Sequence, residues 1–237
     1  MQIRLDMHIH SEYSPDGAMS LSEIAQRARA AGLHGVAVCD HDRVLPDAAA
    51  CPGLFLIPGV EVSTDAGHLL GWFVTEPVAA RTLPEAVAEI HAQGGIAVLA
   101  HPFEHTTSPV RAETASKYVD GVEVWNSRAE RKNRRANAMA AEFADTHNLR
   151  GFAGSDAHTP REIGNGVTIL NVDTLTPDSV KAALLSGNVR TEGRRSKAVW
   201  TAVSQYTRRR KCKAGSLAYC KWAAFAVKCV LEDIFRP

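Results

Sequence analysis

Histidines and carboxylates recur in this chain at short spacings, each group closing an apolar run. His8 and His10 form an HxH pair at the end of the first run. On a strand, residues i and i+2 point to one face, so both imidazoles can reach one ion. Asp156 and His158 repeat that spacing near the end of the series. Between them stand Asp40-His41-Asp42, Glu61 inside Gly59-Val60-Glu61-Val62-Ser63, His101-Pro102, and Glu123 ahead of Trp125-Asn126. A set of nitrogen and oxygen donors without cysteine suits Zn, Mn or Fe. Carboxylates able to bridge, such as Glu61 or Asp156, would let two ions sit about 3.5–4 Å apart and clamp a phosphoryl group. The chemistry indicated is that of bound metal ions, with Glu61 and Asp156 as its central carboxylates. No GxSxG elbow and no Gly-rich phosphate loop offers a competing chemistry.

Something must carry these side chains to one place. Strand-like runs are predicted at Ile3–His8, Gly35–Asp40, Leu54–Val62, Leu69–Val74, Gly95–His101, Gly121–Trp125, Gly151–Asp156 and Val167–Val172. Helical stretches intervene at Ser20–Ala31, Leu83–Gln93, Ala129–His147 and Pro177–Leu185. Ser20 with Glu23, and Thr82 with Glu85, read as capping boxes, and Gly32 and Gly94 close the two helices. Strands alternating with helices argue for an α/β architecture, barrel or open sheet. In an α/β barrel the C-terminal strand ends share one mouth, and six of these runs end on ligand-type side chains.

The 27 basic and 26 acidic residues leave a net charge of +1, but they are not mixed evenly. Residues 1–190 hold 16 basic and 23 acidic side chains, a net of −7, and residues 191–237 hold 11 basic and 3 acidic, a net of +8. All ten histidines fall in the acidic part. Divalent ions bound there would reverse its local field and let it receive a phosphate. The rest carries two apolar-faced helical patches, Ala198–Tyr206 and Leu217–Phe235, joined by the basic run Arg208-Arg209-Arg210-Lys211-Cys212-Lys213. Five cysteines without CxxC spacing, no secretory pattern at the start and no long apolar run predict a cytoplasmic protein with free thiols and no membrane span.

The runs Asp6-Met7-His8-Ile9-His10-Ser11, Ser14-Pro15-Asp16-Gly17, Cys39-Asp40-His41-Asp42, Gly59-Val60-Glu61-Val62-Ser63, Ala100-His101-Pro102 and Gly154-Ser155-Asp156-Ala157-His158 together resemble the PHP (polymerase and histidinol phosphatase) superfamily. The resemblance spans about residues 1–190, with the motifs in the family's order. It implies a distorted seven-stranded (β/α) TIM-like barrel, followed here by a short basic helical extension over 191–237, and a cluster of two or three divalent ions that hydrolyses phosphoesters. By position, His8, His10, Glu61 and Asp156 match the ligands of one ion. Glu61 and His101 match a second, which Glu123 or Asn126 would complete, and Asp16, His41 and His158 match a third. Gly67-His68-Leu69-Leu70-Gly71 and Glu123–Arg128 are patterns shared with the small free-standing members.

The expected substrate is a small phosphomonoester, attacked in line by metal-activated water. His68, outside the ligand sets, is a candidate for substrate contact or proton donation. Arg128 could grip a phosphate with its planar fork, with Arg161 and Asn126 as further candidate contacts. One alternative keeps the cluster but takes nucleic-acid or nucleotide phosphates, with the basic extension tracking the backbone and Tyr206, Tyr219 and Trp222 available for stacking. Others are carbon–nitrogen or carboxylic ester hydrolysis, and a metal-stabilised binding module without catalysis.

Overall fold

The computed structural model describes residues 1–46, 51–105, 109–186 and 188–235. Among the described residues nine strands make one sheet: β1 (Gln2–Ile9), β2 (Gly35–His41), β3 (Phe55–Thr64), β4 (Gly67–Trp72), β5 (Ile96–Leu99), β6 (Gly121–Asn126), β7 (Arg150–Gly154), β8 (Gly166–Asn171) and β9 (Arg190–Gly193). Their order is β7-β6-β5-β4-β3-β2-β1-β8-β9. Just past β7, Ala157 bridges in parallel to Ile9 at the end of β1, so the sheet nearly closes on itself. The architecture is α/β and barrel-like, but with nine strands rather than the seven expected. Two features account for the difference. β3 and β4 form a hairpin around Asp65-Ala66, where Thr64 Oγ1 donates to the Gly67 carbonyl, leaving no room for a helix between them. β9, with sequence RTEG, is exposed along its length and has no apolar alternation to reveal it, yet it pairs antiparallel to β8 across the boundary drawn at residue 190.

The lumen and the outer layers separate cleanly. Ile3, Leu5 and Met7 of β1, Ile57 of β3, Leu70 and Trp72 of β4, and Ile96 and Val98 of β5 fill the inside with Phe152. Trp72 stands edge-on to Phe152 at 5.0 Å and donates its indole N–H to the Met7 carbonyl, which satisfies the one polar group of this large buried ring. Outside, α1 (Leu21–Ala30) covers one part of the sheet; α2 (Leu83–Ala92) and α4 (Ala136–Thr146) cover another, with α3 (Pro109–Ala115) between them in sequence. α5 (Pro177–Ser186) sends Val180 and Leu184 into the lumen cluster. Ser20 caps α1, accepting from the Glu23 N–H as its spacing predicts. Thr82 instead gives its hydroxyl to the Glu85 carboxylate. The helix expected over Ala129–His147 is broken, a single 3-10 turn at Ala129–Arg131 preceding α4.

After β9 come α6 (Ala198–Lys211) and α7 (Ser216–Phe235). The basic run was expected to join two helices; in the structure Arg208–Lys211 form the last turn of α6. Arg and Lys are good helix formers, and cations are favoured at a helix C-terminus. Among the described residues no helix is long and apolar enough to cross a membrane.

Candidate metal centre

Inward placement of His8 and His10 depends on an irregularity in β1. Ile3, Leu5 and Met7 face the lumen, and strict alternation would send His8 outward. The β1–β2 register shifts between Asp6 and Ile9, and beyond it Ile9 packs outside with α1 while His8 and His10 face the mouth. Glu61 needs no such device, since it follows Ile57 and Gly59 on the lumen side of β3, with Val60 and Val62 outside. Asp156 and His101 arrive on backbone in the left-handed region, at φ 54 and 26, which non-glycine residues adopt at a cost and chiefly where function requires it. Gly154 is required by close approach: a Cβ there would run into His8 Cβ and Glu123 Oε1.

His8, His10 and Asp156 converge at the centre, with Glu61 against both imidazoles. His10 Nε2 lies 3.2 Å from His8 Nε2, 3.2 Å from Asp156 Oδ1 and 3.3 Å from Glu61 Oε2. His8 Nε2 lies 3.5 Å from Glu61 Oε2 and 3.8 Å from Asp156 Oδ1. A tetrahedron with metal–ligand bonds of roughly 2.0–2.1 Å has edges of about 3.3–3.4 Å, so the spacings among His8, His10 and Asp156 suit one ion, with Glu61 beside the two imidazoles. Glu61 Oε2 is moreover buried without a hydrogen bond, as is His10 Nδ1. A buried carboxylate oxygen that meets several imidazoles, His41 Nδ1 at 2.9 Å among them, is one that a cation can join.

Two further groups surround this one. Asp16 reaches His41 Nε2 at 3.6 Å and His158 Nε2 at 3.4 Å, and with His10 these residues form a second set of convergent donors. His41, Glu61 and His68 form a third. Glu61 is the hub: Oε2 faces His41 Nδ1 at 2.9 Å, while Oε1 faces His68 Nδ1 at 2.7 Å and His101 Nε2 at 3.1 Å. His68, predicted as a substrate contact, thus sits against the cluster with its side chain 37% exposed and is a candidate ligand as well.

Two imidazoles are oriented from behind. His8 Nδ1 pairs with Glu123 Oε1 at 3.0 Å and His158 Nδ1 with the Asp156 carbonyl at 2.9 Å, which leaves each Nε2 lone pair for the cluster. Protonation in the metal-free protein follows from this crowding. Burial pushes His10 down to about 3, helped by the nearby His158 and His41, so it is neutral. Burial also works against His41 and His101, but Glu61 together with Asp16 at His41, and with Glu104 and Glu123 at His101, outweighs it and lifts them to about 11 and about 9. Glu61 and Asp156, despite burial, are held well below the usual carboxylate range, chiefly by the charges of His41, His68 and His8 for the first and His8 for the second.

Several expectations need correction. Glu123 and Asn126, rivals for completing an ion site, both serve their neighbours. Glu123 Oε2 accepts from the His101 N–H and from Asn126 Nδ2, at 2.9 and 3.0 Å. Asn126 Oδ1 accepts the N–H groups of Arg128 and Ala129, which turns its NH₂ toward Glu123 and Asp156. It is buried and offers the cluster a donor, so it is neither a free ligand nor an open substrate contact. Arg128 does not reach the mouth as a phosphate grip. Its fork closes on Glu162 at 2.7 and 2.6 Å, and Nη1 donates to Ser204 Oγ in α6. Arg161 is exposed in the loop beyond His158.

Three residues of consequence were missed. Glu162 also accepts from the His158 and Thr159 N–H groups and the Thr159 hydroxyl, fixing the loop that carries Asp156 and His158. The Thr159–Glu162 spacing was its one sequence signal. Asp6 accepts the N–H groups of Ser155 and Gly164 and ties β1 to the same loop. Burial raises it to about 6, with the Ser155 and Gly164 hydrogen bonds opposing the rise. Lys211, from α6, donates to the Glu12 and Ser14 carbonyls at 2.6 Å each, while Ser14 Oγ donates to Asp16 Oδ1 at 2.8 Å. The basic end of α6 therefore rests on the loop that carries Asp16, and no local signal in the sequence points to this.

The family profile described as PHP domain matches residues 6–158, and that described as PHP-associated matches residues 134–189. The chain belongs to the PHP family. PHP members are metal-dependent hydrolases, in agreement with donor groups that can hold metal ions. An uncharacterized protein of Methanocaldococcus jannaschii is 31% identical over 176 residues, covering 69% of this chain and 68% of that protein. A 5′-3′ exoribonuclease of Haemophilus influenzae is 41% identical over 70 residues, covering 27% of this chain and 25% of that enzyme. Among solved structures, a two-domain protein of Bacteroides vulgatus containing a predicted PHP-like metal-dependent phosphoesterase superposes with a TM-score of 0.67 at 18% identity, covering 87% of this chain and 70% of that one.

Proposed function

We propose that this PHP protein is a metal-dependent phosphoesterase that hydrolyses a phosphomonoester at the mouth of its barrel, with residues 1–190 carrying the chemistry. The observation that supports this best is the three overlapping donor groups, which share His10 and His41. His8, His10, Glu61 and Asp156 would hold one ion; His41, Glu61, His68 and His101 would serve a second; and Asp16, His41 and His158, with His10, a third. Ions held there would supply Lewis acidity toward a phosphoryl oxygen and activated water. The protein keeps the donor lone pairs aimed inward, through Glu123 behind His8 and the Asp156 carbonyl behind His158. It also holds Glu61 ionised between its histidines, so one carboxylate can face two ions. His68, half exposed at the rim, would hold or pass a proton at the leaving oxygen when it is not a ligand. The test is metal analysis followed by hydrolysis of a generic phosphomonoester after loading with Mn, Zn or Fe. Protein that binds none of these and hydrolyses nothing would remove the proposal.

A second reading, hydrolysis of nucleic-acid or nucleotide phosphates, is favoured by one structural feature. Lys211 brings the basic turn Arg208–Lys211 beside the loop of Asp16, at the mouth itself. The exoribonuclease relative is in keeping with it. A polyanion tracking this turn would bind with an affinity that falls steeply with salt, whereas a small monoester would not. Competing the two substrates across a salt series separates the readings.

A further inference from the structure

The inner side of α7 is fully occupied. Phe225, Ala226 and Cys229 pack on Ala198 and Ala202 of α6, and Trp222 Nε1 donates to the Ala202 carbonyl at 2.8 Å. Asp233 caps the start of α6 through the N–H groups of Ala198 and Val199, and Arg209 reaches the Ala218 carbonyl at the other end. The helix is thus held in one rotational setting. Its outer side then shows an unusual composition: from Leu217 to Phe235, every exposed residue except Lys221 and Lys228 is apolar. At 100° per residue these apolar positions fall in a single arc of about 140°.

The larger of them, Leu217, Val227, Val230, Leu231, Ile234 and Phe235, leave 45–77% of their surface exposed. Together that is on the order of 600 Å² of apolar side chain, the top of the range for a patch on a monomer and near the roughly 800 Å² each partner contributes to a stable interface. The face is also graded. Its N-terminal half presents small side chains, Cys220, Ala223 and Ala224, and its C-terminal half presents Val230, Leu231 and Ile234. Pairing two copies antiparallel about Val227 sets position 220 against 234, 223 against 231 and 224 against 230. Each small residue then meets a large one, and two backbones can approach closely while the large side chains fill the space. A parallel pair would set large on large and small on small. Such self-complementarity is what a two-fold contact requires.

We propose that the outer face of α7 is a self-association surface, through which two copies of this chain pair antiparallel about Val227. The two lysines lie at one border of the patch and stay in solvent at the rim. The test uses the full chain, with sedimentation and light scattering at about 10–100 µM, a range in which an interface of this size is populated. The expected result is a particle twice the 25.6 kDa chain mass, and a monomer for Val227→Lys, in which two charges meet at the axis. That variant should keep the wild-type far-ultraviolet spectrum, since Val227 is 60% exposed and outside the α6–α7 cluster, and its unfolding midpoint should lose the dependence on protein concentration that the dimer shows. In a Cys212→Ser background and with copper phenanthroline as oxidant, Ile234→Cys should form a disulfide-linked dimer with Cys220 of the other copy, while unsubstituted Ile234 gives none. Monomeric wild-type protein, an unchanged dimer in Val227→Lys, or monomer that binds anionic phosphatidylserine vesicles through this face would overturn the proposal.

Discussion

Replacing Arg128 by leucine tests whether this cation serves the loop or the substrate. Glu162 is 0% exposed and takes both fork contacts of Arg128, at 2.7 and 2.6 Å. Removing one member of a buried, hydrogen-bonded ion pair leaves an uncompensated charge, with a typical cost of about 3–5 kcal/mol. Glu162 retains the His158 and Thr159 N–H groups and the Thr159 hydroxyl, so the lower end, about 3 kcal/mol, is expected. For a chain of this size that corresponds to a fall in Tm of roughly 6–12 °C. Arg128→Leu combined with Glu162→Leu should cost less than the two single losses added. Thermal and urea unfolding, together with KM and kcat for a phosphomonoester, check all of this. If Arg128→Leu leaves Tm within about 1 °C and raises KM alone, the guanidinium serves substrate and the structural argument is wrong.

Glu123→Gln should weaken metal binding about 10–100-fold by loosening His8, read by competition with a chelator, while the metal-free protein keeps its fold. Lys211→Ala should free the loop of Asp16, giving faster hydrogen exchange over residues 11–17 and loss of one ion per chain, with Lys211→Arg restoring both; unchanged exchange would show that α6 only rests there. In metal-free protein His41 and His101 are lifted to about 11 and about 9, so their pairing with Glu61 adds stability in full below about pH 6.5. That stability is lost as pH rises through 9 and then 11, and Tm should fall over that window. For the same reason loading with Mn at pH 7 should release protons, and affinity should increase with pH; calorimetry in buffers of different ionisation enthalpy reads the proton count.

Much of the site was legible because metal chemistry restricts residue type and spacing. The HxH pair, the Asp156–His158 pair and Glu61 inside its apolar run identify themselves locally, and the structure distributes them over three neighbouring donor groups. Helix starts were legible where a cap supplies a local hydrogen bond, as at Ser20. Less was legible where a residue's partner is remote. Glu123 looks like any ligand carboxylate until β6 lies beside β5 and the closing sheet brings β1 near, where its oxygens meet the His101 N–H and His8. Arg128 looks like a phosphate grip until the loop after β7 delivers Glu162. β9 was invisible because an exposed edge strand of polar residues has no hydrophobic period, only a partner.

By itself the sequence determined which side chains can bind metal, their order along the chain, and that strands alternating with helices carry them. It also showed that charge is divided between an acidic body and a basic extension. Only the tertiary structure decided which of those donors face the cluster and which stand behind it. It set the register shift that turns His8 and His10 inward, the sharing of Glu61 among its histidines, and the docking of Lys211 on the loop of Asp16. Those outcomes depend on contacts between residues far apart in the chain, where burial and pairing outweigh any local preference, and no periodicity within a segment encodes them.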